Sequence, residues 1–220
     1  MGTWVVTGAN RGIGLEMCRQ LKARGEDVFA ACRARSPELD ELGVTVVDGV
    51  EMTSEDGAKA LQKALGDRRI DVLFNNAGVL VPDALESLDF ATLKKQFDVN
   101  TLGPLRITHG LLGRLGKGSK VALVSSRAGS IADNGSGGLY GYRMSKAALN
   151  MAGMSLARDL ASKGVMVVVL HPGFIRTGMT GGAGNDDPPT AVKGLLARID
   201  ALTPATSGKF FHANGEELPW

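Results

Sequence analysis

Residues 7–14 read T-G-A-N-R-G-I-G and follow directly on an apolar strand candidate at residues 4–7. The glycines at positions 8, 12 and 14 allow the backbone to turn tightly and to approach a ligand closely. A helical pattern follows, and the N-terminus of a helix offers free N–H groups and a positive dipole end to a pyrophosphate. An ordinary strand-to-helix turn is the alternative. The place of this turn, between the first strand and the first helix, favours a dinucleotide-binding site.

Apolar strand-like runs alternate with helix-like segments along the chain. The predicted strands are residues 4–7, 27–32, 44–48, 72–75, 121–125, 165–171 and 209–212. The predicted helices are residues 15–24, 54–65, 93–112 and 142–161. The strands are continuous apolar runs, which is typical of a parallel sheet covered on both faces. We therefore expect a single α/β domain over residues 1–220, with a doubly wound, Rossmann-type parallel sheet of about seven strands and helices on both faces.

Composition and charge exclude several classes of protein. The chain has 220 residues, 25 Lys and Arg against 23 Asp and Glu, and a formal charge of +2, so it lacks the basic character of a nucleic-acid-binding protein. The longest apolar strand, residues 165–170, is far shorter than the roughly 20 residues that span a bilayer. We expect no signal segment, because no basic region and apolar segment come before the first predicted strand. Two cysteines suit a reducing compartment. We expect a cytoplasmic protein with a small-molecule substrate and without a nucleic-acid or membrane partner.

Two glycine-rich stretches, residues 129–141 and 178–184, follow predicted strands at their C-terminal ends. That edge is where doubly wound sheets bind ligands. The second stretch continues into a polar break with two prolines at residues 185–189. We expect a mobile substrate loop near residues 178–190 rather than a domain boundary.

The end of the second predicted strand bears on the choice of dinucleotide. Sites that bind NAD usually have an acidic residue there, which binds the ribose 2′-hydroxyl. Residues 28–35 contain no Asp or Glu and instead hold Arg33 and Arg35, while Arg11 lies in the glycine turn. A guanidinium pairs with a 2′-phosphate, so NADP is favoured over NAD. Surface arginines without a ligand are the alternative.

Tyr142 and Lys146 lie four residues apart at the start of a predicted helix, a spacing that places both on one face. A free tyrosine has a pKa near 10 and is a poor acid–base catalyst at neutral pH. A nearby ammonium should lower that pKa, so that the pair exchanges a proton with a substrate oxygen. Tyr140 lacks such a partner, because Met144 is four residues beyond it. Taken alone, the pair also fits an exposed helix face.

Ser125 and Ser126 end the fifth predicted strand, at the same sheet edge as the glycine turn. A hydroxyl group there can hydrogen-bond a substrate carbonyl and its developing charge, although a serine that caps a strand end is the alternative. The three histidines are scattered and lack metal-ligand spacing with a cysteine, and no G-x-S-x-G motif occurs. The sequence predicts no metal site.

Six motifs now stand in order along the chain. They are residues 7–14, N-N-A-G at 75–78, V-N at 99–100, V-S-S at 124–126, Y-R-M-S-K at 142–146 and H-P-G-F-I-R-T at 171–177. Over essentially its whole length the chain resembles the short-chain dehydrogenase/reductase family. Its short length, the compressed segment after Thr177 and the ending G-K-F-F…E-L-P-W are similar to the C-factor and sniffer-type carbonyl reductases of that family.

The resemblance implies a catalytic set. Asn100 would bridge through a water to Lys146, and Ser126 would orient the carbonyl group. Tyr142 would donate or accept the proton, and Lys146 would also hold the nicotinamide ribose. Hydride transfer itself would belong to a nicotinamide cofactor.

The resemblance also implies cofactor contacts along the sheet edge. Asp48 and Val50 would lie beside the adenine. The nicotinamide end would be held by Pro172, Gly173, Ile175 and Thr177. With the glycine turn and the arginine at the second strand, the candidate cofactor residues are Gly8, Asn10, Arg11, Gly12, Ile13, Gly14, Arg33, Asp48, Val50, Asn76, Ala77, Gly78, Asn100, Tyr142, Lys146, Pro172, Gly173, Ile175 and Thr177.

Two departures from the family pattern concern access to the site. Residues 133–138, D-N-G-S-G-G, expand the loop before Tyr142, and the segment after Thr177 is short, so the substrate lid is reduced. An open site suits a broad or bulky carbonyl substrate. The helices near residues 94–112 and 144–161 are rich in small and apolar residues, and the family suggests that they form a homodimer interface; packing against the sheet is the alternative.

Two functions follow. One is an NADP-dependent oxidoreductase that reduces an aldehyde, ketone or quinone to an alcohol, or catalyses the reverse. The other is a cofactor-binding signalling or regulatory protein of C-factor type with little turnover. The complete set of Asn100, Ser126, Tyr142 and Lys146 favours the enzyme, since a pure binder needs no such set.

Overall fold

A computed structural model of the chain describes residues 1–220. Its strands are β1 Thr3–Thr7, β2 Asp27–Ala31, β3 Thr45–Val47, β4 Val72–Asn75, β5 Lys120–Val124, β6 Met166–His171 and β7 Phe210–His212. Its helices are α1 Gly12–Ala23, α2 Pro37–Asp40, α3 Asp56–Leu65, α4 Phe90–Phe97, α5 Gly103–Gly110, α6 Tyr140–Asp159 and α7 Pro188–Asp200. A π-helical turn, Asp98–Leu102, joins α4 to α5. All seven predicted strands are present, with ends within two residues of the prediction.

The strands form one parallel sheet in the order β3-β2-β1-β4-β5-β6-β7. Helices cover both faces, which explains why the strands are apolar throughout. Val5, Leu73 and Val167 belong to the core under α3, α5 and α6, whereas the next residue of each strand belongs to the core under α1 and α7. The predicted single-domain Rossmann-type α/β fold is confirmed.

The strand order reverses between β1 and β4, because the chain runs outward from β1 to β3 and then crosses back to the other side. At such a switch point the loops after two neighbouring strands diverge and leave a crevice. The glycine turn after β1 and the N-A-G segment after β4 border this crevice.

The predicted helix at residues 93–112 is interrupted. Pro104 has no N–H group, so it cannot donate to the carbonyl four residues earlier, and the regular helical ladder breaks there. A Cβ atom at Gly103 would lie 2.8 Å from the Cβ of Met52, so the chain also passes close to the loop after β3. A π-helical turn is wider than an α-helical one. At this point it accommodates both the missing N–H group of Pro104 and the close approach of Gly103 to Met52.

The prediction of a loop over residues 178–190 is partly wrong. The two prolines that suggested a break occupy the first positions of α7, where a missing N–H group costs nothing. Asp187 caps this helix by accepting a hydrogen bond from the N–H of Thr190 at 2.9 Å. The loop therefore ends at residue 187, and α7 is an additional helix. None of the helices combines the length and apolar character needed to cross a membrane.

Candidate active site

The glycine turn leads from β1 into α1, and the N-terminus of α1 is not capped by a side chain. Arg11 precedes α1 in an extended conformation, and no side chain caps the helix. The N–H groups of the first turn are therefore available to an anionic ligand. Gly8 and Gly12 have left-handed φ angles of +66° and +54°. A Cβ atom at Gly14 would lie 2.1 Å from the carbonyl oxygen of Gly8, so only glycine fits where the helix meets the turn.

Asn76 fixes the turn to the neighbouring strand. Its side-chain amide donates to the carbonyl oxygens of Thr7 at 3.0 Å and Gly8 at 3.3 Å. In return, the Thr7 hydroxyl accepts from the N–H groups of Asn76 at 3.0 Å and Ala77 at 3.1 Å. These contacts hold the two sides of the crevice at a fixed separation.

The crevice is a cleft of about 340 Å³. The predicted cofactor residues that line it are Gly8, Asn10, Arg11, Gly12, Ile13, Arg33, Val50, Asn76, Ala77, Gly78 and Thr177. Those that do not line it are Gly14, Asp48, Asn100, Tyr142, Lys146, Pro172, Gly173 and Ile175. Gly14 lies behind the turn, Asp48 is exposed on the surface, and Ile175 is buried.

Sequence reasoning missed half of the lining. The additional residues are Thr7, Ala31, Cys32, Glu51, Met52, Thr53, Val79, Lys95, Val99, Gly178 and Met179. Residues 31–32 lie at the end of β2 and residues 51–53 follow β3, at the same sheet edge as the glycine turn. Strand order would therefore have located them. Lys95 is on α4, and no local signal in the sequence links it to the cleft.

The arginines near the cleft differ in their partners. Arg11 and Arg33 line it, and neither forms an ion pair with an acidic residue. Arg35 does not line it; its guanidinium lies 2.7 Å from Asp40, so its charge is already balanced. Of the two arginines at the end of β2, only Arg33 is placed to meet a ligand. The first-turn N–H groups and these two cations fit a dinucleotide with an additional phosphate.

Tyr142 and Lys146 are both buried on α6, with the amine 5.7 Å from the centre of the phenol ring. Burial raises the pKa of Tyr142, and the nearby Ser126 side chain opposes that rise. Burial also lowers the pKa of Lys146 to about 8. The expectation that the ammonium lowers the pKa of Tyr142 is therefore wrong as a net effect, because desolvation dominates. The phenol keeps its proton at neutral pH.

Ser125 and Ser126 differ in their neighbours and hydrogen-bond partners. Ser125 is buried, and its hydroxyl donates to the side-chain oxygen of Asn150 at 2.5 Å. Ser126 instead lies next to Tyr142, and its hydroxyl accepts from the N–H of Ala128 at 3.1 Å. Of the two serines, only Ser126 lies beside the Tyr142 side chain.

Asn100 lies on the π-helical turn and is fully buried. Its amide exchanges two hydrogen bonds of 2.8 Å with the backbone of Val79 and donates to the Ser145 hydroxyl at 3.0 Å. A Cβ atom at Gly78 would lie 3.2 Å from the Asn100 amide oxygen and 3.7 Å from the Lys146 amine. Asn100 and Lys146 therefore meet beside Gly78, at the wall of the cleft. The water bridge between them remains a prediction.

The Lys146 amine donates to the carbonyl oxygen of Val124 at 2.8 Å, which anchors α6 to the end of β5. On the far side, Thr177 lines the cleft, and Gly173, with φ +103°, packs beside Ile175 and His212. Pro172 and Gly173 lie between β6 and this wall. The site therefore joins the ends of β1, β4, β5 and β6.

The model of the short chain dehydrogenase family matches residues 3–188. The chain therefore belongs to the short-chain dehydrogenase/reductase family, a family of oxidoreductases, and the predicted likeness to its C-factor and sniffer-type members is confirmed.

Two curated relatives stand out. The chain is 44% identical to the 1-hydroxy-2-glutathionyl-2-methyl-3-butene dehydrogenase of Rhodococcus sp. (strain AD45), over 100% of both chains. It is 48% identical to the C-signal protein of Myxococcus xanthus, over 69% of this chain and 93% of that protein.

Two solved structures are similar over the whole fold. An NADPH-bound carbonyl reductase from chicken fatty liver has a TM-score of 0.91 and 28% identity, covering 100% of this chain and 99% of that chain. The carbonyl reductase Sniffer of D. melanogaster has the same TM-score and identity and is covered completely.

The lowered pKa of Lys146 predicts a pH-dependent stability. Between about pH 8, the pKa in the folded protein, and 10.5, the unfolded chain binds more protons than the folded one. The free energy of unfolding should therefore rise with pH across this window, by on the order of 3 kcal/mol in full. Urea denaturation of nucleotide-free wild type and Lys146→Met at several pH values from 7 to 10.5 measures the difference. A difference that stays constant with pH would contradict the burial of an ionisable amine.

Proposed function

We propose that the protein is an NADP-dependent oxidoreductase that reduces a carbonyl group of an aldehyde, ketone or quinone to an alcohol, or catalyses the reverse reaction. The observation that carries this proposal is that Tyr142 lies beside Ser126 and Lys146. The Lys146 amine in turn approaches Gly78 in the wall of a cleft that has an uncapped helix N-terminus. A bound nicotinamide supplies or accepts the hydride. The side chains supply the proton and the orientation of the substrate.

In the reducing direction, the Tyr142 hydroxyl donates its proton to the carbonyl oxygen as negative charge develops there. Burial keeps the phenol protonated at neutral pH, which supports this role. Ser126 donates a hydrogen bond to the same oxygen and holds the carbonyl in place. Lys146 holds the nicotinamide ribose, and Asn100 supports the proton relay beside it.

The preference for NADP rests on Arg11 and Arg33. Both line the cleft without an acidic partner, and a carbonyl reductase with the same fold binds NADPH. Glu51, the only acidic residue of the lining, follows β3 rather than β2. It is therefore one strand further from the glycine turn than the position that selects NAD.

A signalling function is the second candidate, and the likeness to the C-signal protein favours it. A protein that only senses the cofactor needs the glycine turn but not a buried phenol beside a serine and an amine. The dehydrogenase from Rhodococcus, which matches over the full length, supports turnover. Its name describes a 1-hydroxy compound with a glutathionyl substituent, so we include primary alcohols with a bulky substituent among the proposed substrates.

We propose that the loop at residues 178–187 borders the substrate.

Tyr142→Phe should abolish turnover, because the ring stays in place while the transferable proton is lost. Its affinity for NADPH should stay within about threefold of wild type. NADPH oxidation against a panel of aldehydes, ketones and quinones, and NADP reduction against alcohols, measures turnover; fluorescence titration measures binding. Tyr140→Phe, two residues away, is the matched control and should keep full activity. A Tyr142→Phe variant with wild-type turnover, or a wild type inactive on every compound, would contradict the enzyme.

Arg33→Ala should weaken NADPH binding by roughly 10- to 100-fold, since a charge-assisted hydrogen bond contributes about 1.5–3 kcal/mol. NADH binding should hardly change. Arg35→Ala is the matched control, because Arg35 is paired with Asp40. Equal effects of Arg33→Ala on the two nucleotides would argue against recognition of the 2′-phosphate.

We also propose a cytoplasmic homodimer. Both cysteines are free and buried, which suits a reducing compartment. Large apolar side chains are exposed on the helices that were expected to form the interface, among them Leu105 on α5 and Met151 on α6, the latter 68% exposed. A homodimer interface through these helices would cover these side chains.

Sedimentation velocity should give twice the mass of one chain for the wild type. Leu105→Asp combined with Met151→Asp should give a monomer, because a buried interface does not tolerate unpaired carboxylates. A wild type that sediments as a monomer at micromolar concentration would contradict the dimer.

A further inference from the structure

The helix that carries Tyr142 and Lys146 lacks a cap of its own. α6 begins at Tyr140, and the residue before it, Leu139, has a left-handed φ of +51°. This conformation is disfavoured for a residue with a Cβ atom. The leucine side chain also has no oxygen atom with which to cap a helix. Gly137 and Gly138 precede it with φ of +64° and +63°. The chain thus enters α6 through three consecutive left-handed residues.

Asp83, on the segment after β4, supplies the missing cap. One carboxylate oxygen accepts the N–H of Tyr140 at 2.5 Å, and the other accepts the N–H of Gly141 at 2.9 Å. The backbone carbonyl of Asp83 also accepts the N–H of Leu139 at 3.3 Å. Two of the N–H groups that a helix start leaves unsatisfied are therefore bound by a negative charge at the positive end of the helix dipole. Because two oxygens hold consecutive N–H groups, both the position and the rotation of the first turn are fixed.

The segment that ends in Asp83 is itself held in place. Val79 exchanges two hydrogen bonds with Asn100, and Val81 exchanges two with the fully buried amide of Gln96, at 2.9 and 3.2 Å. Gln96 and Asn100 are four residues apart, one helical turn, whereas Val79 and Val81 are two residues apart on a segment that is neither helix nor strand. The two amides therefore fasten this segment to α4 and the π-helical turn. Asp83, two residues after Val81, therefore lies on a backbone segment that is held in a fixed position.

The same neighbours close the space around the first turn of α6. A Cβ atom at Gly141 would lie 2.5 Å from the side-chain nitrogen of Gln96 and 3.2 Å from a carboxylate oxygen of Asp83. Tyr142 is the third residue of this turn. Lys146 lies one turn further on and is held independently, by its hydrogen bond to Val124. Movement of the first turn would therefore displace Tyr142 more than Lys146.

We propose that Asp83 is a positioning residue that caps α6 from another part of the chain and thereby fixes the Tyr142 hydroxyl for proton transfer. The catalytic half of this inference rests on the proposed function, since it takes Tyr142 as the proton donor. The structural half does not, because the cap and its effect on Tyr142 exist with or without turnover.

Kinetics test the catalytic half. Asp83→Ala should lower kcat for carbonyl reduction at least tenfold while the Kd for NADPH stays within about twofold. Asp83→Asn keeps an oxygen acceptor for one N–H group and should recover most of kcat. Asp89→Ala is the matched control, because Asp89 caps α4 with a carboxylate in the same way, at 3.0 and 3.3 Å from two N–H groups. It should lower the melting temperature without changing kcat.

NMR tests the structural half. The chain has only two tyrosines, so a protein labelled at the tyrosine Cζ carbon gives two signals, and Tyr142→Phe assigns them. In Asp83→Ala the Tyr142 signal should move toward that of a solvent-exposed tyrosine or broaden, whereas Asp89→Ala should leave it in place. A wild-type Tyr142 signal together with a wild-type kcat in Asp83→Ala would overturn the proposal.

The two halves fail separately. If the wild type has no turnover on any compound but Asp83→Ala shifts the Tyr142 signal, the result would support the cap and contradict the proposed function. If Asp83→Ala does not fold, Asp83→Ser replaces it, since serine keeps one short oxygen acceptor. An intermediate kcat and an intermediate Tyr142 signal in that variant would support the proposal, and wild-type values of both would contradict it.

Discussion

All seven strands of this sheet run in the same direction, and the site depends on that constraint. Parallel strands place all their C-terminal ends at one edge. The glycine turn after β1, Asn76 after β4, Ser126 after β5 and Thr177 after β6 come together there, although more than 160 residues separate the first from the last. Reversal of the strand order between β1 and β4 then opens the crevice in which a dinucleotide fits.

Burial sets the chemistry of the site. Tyr142 and Lys146 are removed from water, and desolvation disfavours the charged form of each. The phenol therefore holds its proton more firmly than a free tyrosine, and the amine releases its proton more easily than a free lysine. A phenol that keeps its proton at neutral pH suits the proposed donation of a proton to a carbonyl oxygen. A proton donor needs a fixed position to be an effective catalyst, so the proposed role of Tyr142 would depend on the cap that Asp83 provides for α6.

The sequence alone was sufficient for the fold and for half of the residues that line the cleft, because both depend on local patterns. Continuous apolar strands predict a covered parallel sheet, and glycine spacing between a strand and a helix predicts a phosphate-binding turn. Contacts between distant segments were not predictable. Nothing near Asp83 marks it as the cap of a helix 57 residues away, and nothing near Lys95 places it at the cleft. The pKa of Tyr142 was misjudged for a related reason: spacing along a helix gives the distance to Lys146 but not the depth of burial. The start of α7 was misread because two prolines indicate either a break or a first turn.

A crystal structure with NADPH and an unreactive carbonyl analogue would show whether the Tyr142 hydroxyl faces the reacting carbonyl group. We expect the pyrophosphate at the N-terminus of α1. We also expect the carbonyl oxygen within hydrogen-bonding reach, roughly 3 Å, of both the Tyr142 and Ser126 hydroxyls, with the nicotinamide ring beside it. A Tyr142 hydroxyl that points away from the carbonyl, or a glycine turn without nucleotide at saturating NADPH, would contradict the proposed proton transfer and cofactor site.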